Sequence, residues 1–340
     1  MQLTFTEEQI ADNHDYAAPH LVHGHRLHGG YDAAGRYVPP RSNSRALAMA
    51  NWTGALQDRG GQLFEASASL LSGPRMPNPA QHALLLRNGV TQPFWNSLTT
   101  TGKLEARGRL LAEVAFPDLQ DVLVEDIGSM ALGHLNAGLL WAHGIDEGGE
   151  PDKGIGGHDV MWFVARDLAF GEDLHPDVEP PENIGRPEAG RRLLPELPPE
   201  HEGMLSLLMN LLIIEFRAEI FFATAQEILR NAELFPGREQ DAAEAAEIIE
   251  RIRTDEQIHV ESLRLYLGEL RELTFSTVDG GTVPAREVID RFWEGLVRWA
   301  VKEQPKLAAQ QQLELLQPLI IEQGGQELMR AFEELSDSAA

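Results

Sequence analysis

The chain has 340 residues, 43% of them apolar, enough to bury the core of a large helical domain or of one domain with sizeable additions. Its 28 basic against 53 acidic side chains give a net charge of -25, which repels phosphate backbones and anionic lipid and sets nucleic acid and membrane surfaces aside as partners. With no cysteine, disulfides, thiolate catalysis, zinc–thiolate sites and iron–sulfur clusters are excluded. The first residues, MQLTFTEEQI, offer neither a basic n-region nor an apolar h-region, so no secretory leader and a cytoplasmic location are expected.

Residues 1–116 read as an N-terminal extension of short helices and loops. Thr6-x-x-Gln9 has the form of a capping box. The stretch HLVHGHRLHGGYD places His20, His23, His25 and His28 among glycines; it reads as a polar loop, with chelation through His20-x-x-His23 as the alternative. Short helices are expected around 45–57, 62–71 and 80–88, the last with Asn78 as N-cap and Pro79 in its first turn.

Residues 117–272 read as a four-helix bundle. Its first helix is expected over 118–143, followed by a glycine-rich loop, GIDEGGEPDKGIGG. The second covers 158–175 and stops at Pro176, and a connection rich in Pro, Glu and Arg runs over 176–200. The third covers 203–234 and closes at Pro236-Gly237; the fourth covers 238–271. Residues 273–340 then form a C-terminal helical extension packed on the bundle, with a turn at Asp279-Gly280-Gly281 and helices from about 285. Within the third helix, MLSLLMNLLIIEFRAEIFFATA has the length of a membrane span. Glu215, Arg217 and Glu219 in its middle each cost roughly 2.5–3.5 kcal/mol at a bilayer centre, so it reads as the innermost helix of a soluble bundle.

On the fourth helix, alternate steps of four and three residues give Ala245, Ile249, Ile252, Glu256, His259, Leu263, Tyr266 and Leu270. This is a core seam of period 3.5, and it carries Glu256-x-x-His259. Tyr266 on it reads as a core tyrosine in preference to a redox one. The same stepping on the second helix gives Met161, Ala165, Leu168, Glu172 and His175, again a Glu-x-x-His on an apolar stripe. A buried carboxylate needs a partner. The third helix supplies Glu215, with Glu219 one turn on as an extra or replacement. The first supplies Glu125, with Asp121 and Asp126 as rivals. Glu215 lies about 21 residues before the Pro236-Gly237 turn, and Glu256 and His259 about 20 to 23 after it, so the three share one height. Should Pro176 turn His175 away, His134, His143 or His158 is the substitute.

The order Glu125, Glu172-x-x-His175, Glu215, Glu256-x-x-His259 resembles that of the ferritin-like di-iron carboxylate proteins, relatives of rubrerythrin and the ribonucleotide reductase small subunit. The resemblance covers about 118–271 and implies an all-α, ferritin-like four-helix bundle with additional N- and C-terminal helices. It implies two iron ions, or one, held by Glu125, Glu172, His175, Glu215, Glu219, Glu256 and His259, with manganese as the alternative suited to oxygen and imidazole ligands. The expected function is a non-haem metal oxidoreductase or oxygenase acting on a small molecule with O₂, with a homodimer as a candidate assembly. Two other classes stay open: a helical binding or structural module without metal, and a ferroxidase or iron store.

Overall fold

The computed structural model describes residues 1–73, 75–187 and 190–336. A short helix α1 (Glu7–Ile10) precedes an antiparallel sheet of β1 (Ala18–Val22), β2 (His25–Tyr31) and β3 (Tyr37–Val38). Helices α2 (Ser42–Asp58), α3 (Pro79–Arg87), α4 (Gln92–Gly108) and α5 (Leu110–Glu113) follow. Then come α6 (Leu139–Gly148), α7 (His158–Phe170), α8 (Pro199–Leu229) and α9 (Glu239–Leu270). A small hairpin, β4 (Thr274–Ser276) and β5 (Thr282–Pro284), leads to α10 (Ala285–Lys302) and α11 (Gln304–Glu334). The expected C-terminal extension runs to 340, of which 337–340 lie outside the described residues. No helix among the described residues is long and apolar enough to cross a membrane.

The antiparallel pair α8 and α9 is the axis of a helical bundle. Every member of the α9 seam from Ala245 to Leu270 is buried, Glu256 and His259 included. Tyr266 is the core tyrosine expected: its hydroxyl accepts the Leu140 N–H at 3.0 Å and so satisfies a donor in the first turn of α6. The core divides in two along this pair. One apolar cluster takes Met204 to Phe216 of α8 and Leu263 to Leu270 of α9, with α2 and α10. The other takes Phe222 to Leu229 of α8 and Ala242 to Ile252 of α9, with α4 and α7. Glu215, Asp255, Glu256 and His259 fall at the junction of the two clusters, so water is kept from them on both sides.

Three expectations are corrected. Residues 118–138 are not a helix but two 3-10 segments and connecting chain, and α6 begins only at Leu139. Gly133 and Gly138 explain why: a Cβ there would lie 2.4 Å from the Ile127 carbonyl oxygen and 2.3 Å from that of His134, so the chain doubles back where only glycine fits. The reverse error concerns GIDEGG, read as loop but mostly helical. Gly144 and Gly148 are the contact of α6 with the chain at 109–112, where a Cβ would meet the Ala112 backbone at 2.5 Å and the Arg109 side chain at 2.6 Å. Finally, α7 stops at Phe170, with Gly171 in the left-handed region at φ 91° as its cap, so the expected second helix does not reach 175.

The N-terminal third also holds more order than the sequence suggests. The histidine run is not a polar loop: it spans β1 and β2, with His20 and His28 buried. Helix α4 escaped notice because Thr99, Thr100, Thr101 and Gly102 are weak helix formers. Gly102 lets α4 close on α7, where a Cβ would touch the Phe163 ring at 2.8 Å.

Candidate metal centre

Of the seven expected ligands, Glu215, Glu256 and His259 come together. The other four do not. Glu125 accepts the Thr274 N–H and Oγ1–H, each at 2.9 Å, and ties its segment to β4. Glu172 is exposed beyond the end of α7. His175 Nε2 lies 2.9 Å from Thr91 Oγ1, its ring edge-on to Trp95. Glu219 forms a bidentate pair with Arg253, at 2.6 and 3.1 Å. The second helix pair fails because Gly171 and Pro176 end the helix that its spacing assumed.

Their places are taken by residues of α4, α6 and α7. His143 and Glu147 lie one turn apart on α6, and His158 opens α7 after a tight glycine-lined return in which Gly149 and Gly157 touch through their backbones. His143, Glu147, Glu215 and His259 form one buried group whose ligand atoms lie within 4.8 Å of one another, and Glu147, His158, Glu256 and His259 form a second. A third such group, His28, His158 and Asp255, lies on the outer side of the His158 ring.

The two central carboxylates each face both rings. Glu256 Oε1 lies 3.0 Å from His158 Nδ1, and its Oε2 lies 2.6 Å from His259 Nδ1. Glu147 Oε2 lies 3.8 Å from His158 Nδ1, and its Oε1 lies 3.4 Å from His259 Nδ1. Terminal groups complete the ends. His143 Nε2 sits 3.1 Å from Glu147 and 3.2 Å from Glu215, its ring stacked 3.7 Å from His259. Glu105 of α4 feels the charges of Glu147, Glu256 and His158. Gly108 makes room for Glu147, since a Cβ there would strike Glu147 Cγ at 2.6 Å.

An outer layer fixes the rings. His259 Nε2 lies 3.0 Å from Asp146 Oδ2. Asp146 in turn is held by Arg45 at 2.6 Å and by Arg41, whose Nε donates at 2.8 Å. Arg41 stands at φ 49° at the start of α2, a costly conformation for a residue with a Cβ, and is anchored by Asn13 as well as Asp146. On the other side, His158 Nε2 lies 3.5 Å from Asp255 Oδ2, which also faces His28 Nε2 at 3.2 Å and accepts the Tyr37 hydroxyl at 2.8 Å. The N-terminal sheet and α2 therefore supply the layer that orients both histidines, a role that nothing in their spacing announces.

The electrostatics follow from burial. Glu215 is pushed up to about 7 by desolvation and by the Glu256 charge, which outweigh His143. Glu105 is raised well above the carboxylate range by burial and by Glu147 and Glu256. Burial also opposes charge on Glu256 and His259, but their mutual attraction holds Glu256 down to about 2 and His259 well above its ordinary value. Burial presses Asp146 upward, and Arg41 and Arg45 overcome it to hold that acid well below its usual range.

These residues fit a cation. With Nε2–H directed at Asp146, His259 Nδ1 is a lone pair facing a carboxylate, a contact that needs a proton or a metal between the two. His158 Nδ1 and Glu147 Oε2 are buried and face charged neighbours without a well-directed hydrogen bond. Ligands on one ion at about 2.1 Å stand roughly 3.0–3.4 Å apart, and most of the nitrogen–oxygen distances above fall in or near that range. Buried His, Glu and Asp clusters capable of holding a metal ion are thus present in a helical protein. No family model, no curated protein and no solved structure matches this chain.

Proposed function

We propose that this chain is a ferritin-like, dinuclear carboxylate–histidine metalloprotein and a non-haem oxidoreductase that acts on a small molecule with O₂. The observation that carries the reading is the double bridge: Glu147 and Glu256 each turn one oxygen toward His158 Nδ1 and the other toward His259 Nδ1. His259, Glu215 and His143 would hold one ion, and His158 and Glu105 the other. Four carboxylates balance two divalent charges, and oxygen and imidazole ligands without thiolate suit iron, with manganese as the alternative. Bound iron would supply redox chemistry toward O₂. The chain's own part is to fix the ligands through Asp146 and Asp255, to exclude bulk water between two apolar clusters, and to set the two ends apart, His143 giving one a second imidazole.

Elemental analysis after anaerobic loading with Fe(II) tests this. About two ions per chain are expected, and Glu147→Ala with Glu256→Ala should lose both. A chain that stays metal-free under these conditions sinks the proposal. It would favour the second reading, a structural or binding module. The 2.6 Å contact of His259 with Glu256 supports that reading, because a proton alone satisfies it.

A further inference from the structure

Far from these ligands in composition, five arginines surround one cavity of about 420 Å³, within the range of small-molecule sites. Arg186, Arg191 and Arg192 come from the connection between α7 and α8, and Arg291 and Arg298 from α10. Clustering is unexpected in a chain of net charge -25, since acidic partners abound. The arginines nonetheless outnumber the acids that pair with them here. Glu196, the one carboxylate among the described lining residues, pairs with Arg291 at 2.6 Å, and Glu202 pairs with Arg192. Arg186, Arg191 and Arg298 have no ion-pair partner among the described residues. Glu294, four residues before Arg298 on α10 and so spaced for a helical pair, does not engage it.

Gly295 stands between Arg291 and Arg298 on the same face of α10. A Cβ there would lie 3.1 Å from Arg186 Nη1, so that guanidinium packs closely over the bare backbone of α10 at this point. Phe292 and Leu193 supply apolar wall beside the charges. Guanidiniums gathered in excess of their acids repel one another, and their planar forks match carboxylate and phosphate oxygens.

We propose that this cavity binds a small organic polyanion, a phosphate ester or a polycarboxylate. Arg186, Arg191 and Arg298 are its principal contacts, and its carbon skeleton rests on Phe292 and Leu193. The site shares no residue with the metal centre and stands independently of it.

Titration calorimetry on the full chain, with fructose 1,6-bisphosphate and with tricarballylate as probes, tests this. At least one should bind with one site per chain, weakening as salt is raised; which one binds separates the phosphate from the carboxylate source. Arg186→Ala with Arg298→Ala should weaken binding by about tenfold or more. Arg230→Ala, which removes one exposed charge from a surface pair elsewhere, should leave binding within about twofold. Gly295→Leu keeps the net charge, raises helix propensity and blocks the cavity, so it too should weaken binding. Failure of both probes to bind overturns the proposal. So does an Arg230→Ala loss as large as that of the cavity pair, or a Gly295→Leu chain that binds like the original.

Discussion

The two histidine arms of the centre have one plan and different materials. His259 leans on Asp146, and Asp146 is gripped by the guanidiniums of Arg41 and Arg45. His158 leans on Asp255, and Asp255 is faced by an imidazole and a phenol, His28 and Tyr37, which need carry no charge. In both cases an Asp-Glu pair does double duty: Asp146-Glu147 on α6 and Asp255-Glu256 on α9 each give one acid to the ligands and the other to a ring on a different helix, His259 on α9 and His158 on α7. The first arm is thus a buried salt-bridge network, stable while intact and costly to break, whereas the second is a softer polar network assembled by the N-terminal sheet.

The largest expected effect therefore comes from Asp146→Ala. It leaves buried Arg45 without an acidic partner among the described residues and buried Arg41 with only the longer Glu150 contact at 3.7 Å, and removal of one partner from such a network costs about 3–5 kcal/mol. Denaturant unfolding should show that loss, together with a 10–100-fold drop in metal affinity through His259. A cost no larger than that of Asp255→Ala would erase the distinction between the arms. Asp255→Ala leaves behind groups that can be neutral, so about 1–3 kcal/mol is expected, with a comparable fall in metal affinity through His158.

A third effect is smaller and depends on pH. His20 braces the soft arm: its ring lies 3.0 Å from the His28 carbonyl oxygen, and its Nε2 lies 2.8 Å from Arg251 Nη1. Burial first, then the Arg251 charge, lowers His20 to about 4 from its ordinary 6.5. The folded state then binds fewer protons than the unfolded one between those values. This contribution to stability is full above about 6.5 and is lost as pH falls toward about 4. Amide exchange should thus quicken in β1 and β2 on acidification, while α6 on the arginine side keeps its protection. His82 is also lowered to about 4 by burial, so a global melting curve cannot isolate His20; local exchange, and its change in His20→Asn, can. Equal protection in β1 and β2 across this range would count against the soft-arm description.

The same contrast explains what could be seen in the sequence. The α8–α9 half was legible because long regular helices keep the 3.5-residue seam that points Glu256 and His259 inward, and because matched distances from Pro236-Gly237 put Glu215 at their height. The other half was not, because its helices are short and built around glycine. Gly144 and Gly148 look like loop residues and are packing residues. His158 lies eleven positions beyond Glu147, across a return that no helical period describes. One signal lies in the sequence itself: Phe94, Leu98, Gly102 and Glu105 step along one face of α4 at helical intervals. The Asp-Glu repeat at 146–147 and 255–256 was another, though its meaning depends on a ring from a different helix. The outer layer had no local signature at all, since Arg41, Arg45, His28 and Tyr37 reach the centre only through tertiary packing.

The smallest effect belongs to residues outside both arms. Glu172-x-x-His175 has the spacing of a ligand pair, yet Glu172 is exposed and His175 faces Thr91 and Trp95. If the ligands are those of α4, α6, α7, α8 and α9, then Glu172→Ala should change stability by no more than about 0.5 kcal/mol. His175→Ala should cost about 1 kcal/mol through the Thr91 contact. Neither should alter the number of metal ions bound. Loss of an ion in either variant would mean that the chain beyond Phe170 refolds onto the centre when metal arrives, and that His158 holds its place only without it.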